Sequence, residues 1–316
     1  MKKVITIFTL TAILFALSAC GKTAKETYLE AHSNLMEADS YQTTSTINLN
    51  VETAEIEGMP EAQMVVGLLN NAEITAETTV DEKKQITETV IHLKTMQGPM
   101  SFELDIPVQM NMENQNMYIK TETIKQAMTM FPIVPMSQEM EFESEYVILD
   151  SEEFNMKEEN QQQKQIEEMM KSVSEENFNE EDGQVTMKME GGQVKDFVRT
   201  FLSSALSENG QMPKGMTEGD IEEGLKAIQF KELSVKSELD GSQLKKEEVS
   251  VGFSVKESGQ EGAFQLDVKN EYENIGEDVS FQMNPTEENT MTQKQLEEKF
   301  NQMMMDSMMA PPENMQ

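Results

Sequence analysis

The sequence predicts an α+β fold: one long, curved antiparallel sheet, a half-barrel, with helices packed on one face and an amphipathic helix appended at the C-terminus. Three observations carry this. Apolar and polar residues alternate in many short segments, as in strands with one buried face. Turn signals such as Asp240-Gly241 and Asn274-Ile275-Gly276 join those segments into meanders. Helical periodicity interrupts the strands in the middle of the chain and follows them at its end. A sheet of so many strands curls rather than staying flat.

Residues 22–39 read as a helix, with Tyr28, Ala31, Leu35 and Ala38 on one face. Ile47, Leu49 and Val51 alternate with Asn48 and Asn50, which is a half-buried strand. Pro60 can start a short helix carrying Met64, Val65, Leu68 and Leu69. Ile74 to Val80 alternates, turns at Asp81 to Lys84 and returns through Leu93. Gly98-Pro99 turns the chain into Met100, Phe102, Leu104, Ile106, Val108, Met110 and Met112, and Asn114 to Asn116 turns it into the strand Met117 to Lys120.

The middle is more helical. Ile124, Ala127, Met128 and Phe131 form an amphipathic helix stopped by Pro132. Tyr146 to Leu149 is a short strand, and Ile166, Met169, Met170 and Val173 mark a helix. Val185, Met187 and Met189 alternate before Gly191-Gly192. Val194, Phe197, Val198, Phe201, Leu202 and Ala205 then give the strongest helical pattern in the chain. Thr217 could cap a helix carrying Ile221, Leu225 and Ile228. A closing meander runs through Leu233 to Leu239, Val249 to Val255, Phe264 to Val268 and Val279 to Met283. Past Pro285, Leu296, Phe300, Met303, Met304 and Met308 share a helical face, with Thr292 and Gln295 as a capping box. Residues after Ala310 are expected to be disordered.

The chain has 316 residues and a net charge of -33, with one Cys and 28 Met. The length suffices for a sizeable core. The charge excludes nucleic acid, whose phosphates need clustered Lys and Arg, and excludes an electrostatic hold on anionic lipid. One cysteine excludes an internal disulfide framework and a Cys-based zinc site.

The first twenty residues form a distinct unit. Met1-Lys2-Lys3 is basic, and Val4 to Leu17 is apolar but too short to span a bilayer, which needs ~20 residues. That is the layout of a secretory signal. Leu17-Ser18-Ala19-Cys20 resembles the bacterial lipobox. The resemblance implies a diacylglycerol on the Cys20 thiol and cleavage before Cys20. The expected divisions are a signal peptide over 1–19, a half-barrel domain over 20–285, and an appended helix with its tail over 286–316. The protein would sit at the cell membrane, lipid-anchored on the extracytoplasmic face. Two or more acyl chains make such an anchor stable.

The order of elements resembles the LolA-like lipoprotein half-barrels, including the LppX and LprG type. The similar stretches are Asn34 to Ser45, Asn114 to Lys120 with its Tyr118-Ile119-Lys120 strand, and Tyr272 to Pro285. In the carrier members, sheet and helices enclose an apolar cavity for acyl chains. The resemblance implies that shape but assigns no cavity residue, and it does not account for the helix after Glu288.

Residues that could carry chemistry are few. No Gly-x-Ser-x-Gly, Walker, His-Glu-x-x-His or Gly-x-Gly-x-x-Gly motif occurs. Acidic pairs such as Glu152-Glu153 and Glu167-Glu168 read as solvated faces, and His32 as a surface histidine. Asn179 to Gly183 lacks the alternating ligands of a calcium loop and reads as a polar turn. Met303, Met304, Met305, Met308 and Met309 could offer soft ligands to Cu(I). Without Cys or His nearby, an adaptable apolar surface is the better reading. No catalytic residue, metal or cofactor is expected. The expected function is non-enzymatic binding of a hydrophobic ligand such as a lipid. The alternative is an envelope protein-interaction module with a filled core, and an enzyme is the third class.

Overall fold

The computed structural model describes residues 22–54, 66–67, 70–97, 100–130, 141–149, 168–208, 218–257 and 260–309. Twelve strands form one open, curved, mostly antiparallel sheet. They are β1 (Ser40–Ala54), β2 (Glu73–Asp81), β3 (Ile86–Gln97), β4 (Met100–Asn111), β5 (Asn116–Lys120), β6 (Tyr146–Leu149), β7 (Phe178–Glu181), β8 (Gln184–Glu190), β9 (Ile228–Asp240), β10 (Gln243–Glu257), β11 (Gln260–Glu273) and β12 (Thr290–Thr292). Five helices lie wholly within the described residues: α1 (Ala24–Met36), α2 (Thr121–Met130), α3 (Gly192–Glu208), α4 (Glu218–Ala227) and α5 (Gln293–Met309); residues 168–172 are helical as well.

The spatial order is β12-β6-β5-β4-β3-β2-β1-β11-β10-β9-β8-β7. Two meanders therefore meet at the centre of the sheet. The first leaves it from β1 outward to β6, and the second returns from β7 inward to β11. Antiparallel pairing of β1 with β11, from Gln42↔Glu273 to Ala54↔Glu261, joins them. The Asp182-Gly183 turn between β7 and β8 has φ of 51° and 78°, the left-handed pair that a two-residue hairpin needs.

Register places the apolar positions of nine strands in one row: Phe178, Met187, Val235, Val249, Val268, Ile47, Ile74, Leu93 and Leu104. These five helices pack near the two ends of the inner face. α1, α3 and α4 lie over β7 to β10, while α2 and α5 lie over β4 to β6 and β12. The first set buries Tyr28, Val173, Val185, Met187, Val194 and Val235 in one cluster. The second buries Val147, Met291 and Leu296. Thr23 caps α1 reciprocally with Glu26, satisfying donors that the first turn leaves open.

The closing segment departs from expectation. Val279 to Met283, read as a strand, instead belongs to a strap over 274–289 that crosses the outer face from β11 to the far edge. Glu88 explains why. Its buried carboxylate accepts the backbone N–H groups of Gln282 and Met283, each at 2.8 Å, and the Gln109 amide at 3.1 Å. Those N–H groups are thereby withdrawn from any ladder. Met283 is buried with Tyr118 and Tyr146 beneath the strap. Alternation cannot tell such a strap from a strand, since both bury every second residue.

Other boundaries shift as well. Thr290–Thr292, expected within the terminal helix, is a strand parallel to β6, and the helix starts behind it. Ile228, expected on a helix, begins β9. Phe178–Glu181 is a strand leading into the turn expected at Asn179 to Gly183. The expected helix after Pro60, the Gly98-Pro99 turn, the stop at Pro132, the helix start at Ile166, the Thr217 cap and the tail after Ala310 lie wholly or partly outside the described residues.

Candidate functional site

The inner face is not evenly covered. Met187, Val185 and Val147 are fully buried under helices at the two ends. Val268, Ile47, Ile74 and Leu93, in the same row over β11, β1, β2 and β3, are only half-buried. These four strands span about 14 Å, at ~4.8 Å per strand step.

Along the strands the same face changes character. On β1 it reads Val51, Leu49 and Ile47, then Ser45 and Thr43; on β11 it reads Phe264, Leu266 and Val268, then Asn270 and Tyr272. On β2 it reads Ile74 and Ala76, then Thr78; on β3 it reads Leu93 and Ile91, then Thr89. The change on β1 is level with that on β11, and the change on β2 is level with that on β3 but one inner-facing position further along, where Ala76 stands opposite Ser45; the apolar residues and the hydroxyl-bearing ones still form two adjoining patches. In the polar half Ser45 donates to Asn270 at 2.8 Å, and the hydroxyls of Thr78 and Thr89 lie 3.0 Å apart. The apolar half is bounded on one side by rings: Phe253 stacks on Phe264 with centroids 5.0 Å apart, and Phe230 follows at 6.2 Å from Phe253. Where β2 ends, Asn70 takes over the edge of β1. Its side chain accepts from the Val51 N–H and donates to the Val51 carbonyl, copying a strand partner.

A partly buried polar cluster lies beside the polar half, where α1 crosses β10. His32 Nε2 is 2.8 Å from Glu247 Oε2, and the Ser237 hydroxyl donates to the same oxygen at 3.2 Å. The Tyr28 ring packs on His32 at 4.3 Å. Burial pushes the Tyr28 phenol well above its ordinary value, and the Glu247 charge and Tyr272 add to this. Burial also raises Tyr272, again with Glu247 contributing. His32 is therefore not the surface residue expected; its side chain is 27% exposed and that of Glu247 9%. The carboxylate stands between hydroxyl and imidazole. A nucleophilic serine needs the imidazole in the middle, where it can take the hydroxyl proton. This arrangement pins α1 to β9 and β10. Sequence reasoning missed it because Glu247 and Ser237 follow the alternation of their strands and carry no motif.

Three surface hollows of the described residues have polar linings. One of about 390 Å³ lies between Glu103, Asp105, Glu122 and Lys125. One of about 460 Å³ lies at β7 and β8, and one of about 320 Å³ lies on the outer face around Lys236, Glu248, Asp267 and Lys269. Among the described residues no group of three or more His, Cys, Asp or Glu could hold a metal ion. No described helix is long and apolar enough to cross a membrane. On α5, Leu296 and Phe300 dock against Val147 and Met291, while Met304 and Met305 are exposed. The side chains of Met308 and Met309, and the lipobox residues Leu17, Ser18, Ala19 and Cys20, lie outside the described residues.

No model of a known protein family matches the chain, and no curated protein matches it.

Proposed function

We propose that the protein is an extracytoplasmic lipoprotein, anchored through a diacylglycerol on Cys20, that binds a hydrophobic ligand such as a lipid without transforming it. The observation that carries this reading is the half-buried apolar patch at the centre of the inner face, between two ends that helices close. Its run along β11, about 13 Å from Phe264 to Val268, is close to one leaflet's share, ~15 Å, of a bilayer's hydrocarbon core. An acyl chain laid there would remove apolar surface from water at about 25 cal/mol per Å². An open, curved sheet with helices on one face supports placing the chain with the LolA-like half-barrels.

Two experiments test the proposal. Cys20→Ala should release the protein from the membrane fraction, and equal retention of the variant would sink the anchor. Native mass spectrometry of residues 22–316, which contain every described element, should show a bound lipid after exposure to membrane extract. A protein that stays ligand-free favours an envelope interaction module with a filled core. The polar lining of the three described hollows is the observation on that reading's side.

A further inference from the structure

The geometry points to an amphiphile with an uncharged, hydroxyl-bearing head group as the ligand of the inner face, in preference to one with an anionic head. This inference rests on the proposed function and specifies its ligand. The division of the central strands into an apolar half and a hydroxyl half sets the orientation. The tail lies along Phe264, Leu266, Val268 and their half-buried neighbours Leu49 and Ile47, a run of about 13 Å for four residue steps. The head then falls among Thr43, Ser45, Thr78, Thr89, Asn270 and Tyr272. Each of these hydroxyls, and the Asn270 amide, can donate as well as accept, so pairing with one another leaves capacity for a ligand hydroxyl.

Charge decides the rest. On the strands, Lys94, Lys188, Lys236, Lys246 and Lys269 all occupy ladder positions of the outer face. Four of them make ion pairs there, with Glu103, Glu232, Glu271 and Glu248. The charged group that the registered strands put beside the polar half is Glu247, and the imidazole of His32 is already engaged with it. An anionic head entering this patch would lose its water and find no lysine at an inner-face ladder position of the described strands to replace it. A hydroxyl head loses less water and meets partners.

The test compares two ligands with the same tail, 1-monooleoylglycerol and oleate, titrated into residues 22–316 near neutral pH. Monooleoylglycerol should bind about tenfold tighter or more, because rejection here comes from an unpaired buried charge. Thr78→Lys, which puts a cation into the polar half, should raise oleate affinity about tenfold, whereas Thr46→Lys on the outer face should leave it unchanged. Thr89→Lys replaces Thr78→Lys if circular dichroism shows that the latter does not fold. Oleate binding as tightly as monooleoylglycerol would overturn the inference and leave the binding function standing. Binding of neither ligand would overturn both.

Discussion

The covered end of the sheet and its centre are built from the same pattern and differ in what lies on top. Over β8 and β9, Met187 and Val235 are 0% and 3% exposed, closed in by α1 and α3. Over β1 and β2, Ile47 and Ile74 occupy the same row and are only half-buried. Alternation decided the face in both regions. The difference follows the placement of α1 to α5, and it leaves these side chains half-buried where a fully packed domain would have core.

Substitution at the two regions sharpens this contrast. Met187→Ala should cost ~2–5 kcal/mol, as for a buried side chain whose cavity cannot fully collapse. Ile47→Ala should cost about 1 kcal/mol, since much of its surface is already in contact with solvent. Urea denaturation of both variants is the check, and equal losses would mean that the centre is as tightly covered as the end.

The outer face offers a second contrast, because there the cover is a strap held by polar groups. Glu88→Ala leaves two backbone donors without their acceptor, at about 1–3 kcal/mol each. Amide hydrogen exchange at Gln282 and Met283 should accelerate well before the inner-face strands respond. Unchanged protection at those amides would show that apolar packing of Met283 alone holds the strap.

Alkaline pH probes the buried tyrosines. Tyr28 and Tyr272 have phenols raised by burial, and Tyr146 is raised by burial too. A folded value above the unfolded value of ~10 means that burial of the neutral phenol stabilises the fold at lower pH. That contribution fades as pH climbs past ~10 toward the folded value. Ultraviolet titration should show these three ionising late, together with loss of structure. Early ionisation at constant circular dichroism would contradict their burial.

The smallest effect belongs to the helix nearest Cys20. Thr23→Ala removes one half of the α1 capping box and should cost about 1 kcal/mol, read as a shift in thermal midpoint. A larger loss would indicate that the first turn of α1 holds the His32 to Glu247 contact in place.

Much of the sheet was legible because its strands obey a period of two over long runs. The strands around Ile47 to Val51, Ile74 to Val80 and Leu233 to Leu239 were each placed on the right face. Val279 to Met283 was misread because a strap with alternate burial has the same period. Thr290–Thr292 was absorbed into a helix because a three-residue strand carries no period at all. The His32, Glu247 and Ser237 cluster was not legible, as its members are 215 and 10 residues apart. No local spacing rule joins such positions.

By itself, the sequence determined the α+β class, the apolar face of each long strand, the docking of Leu296 and Phe300 on α5, though not of Met304, which is exposed, and the charge of the molecule. These depend on side-chain period and composition, which are local properties of the chain. Only the tertiary structure decided that β11 pairs with β1, that Glu88 clamps a strap, and that α1 to α5 lie over the two ends. Strand order is a choice among pairings of similar local energy, settled by which helices and carboxylates the distant parts of the chain bring to each face.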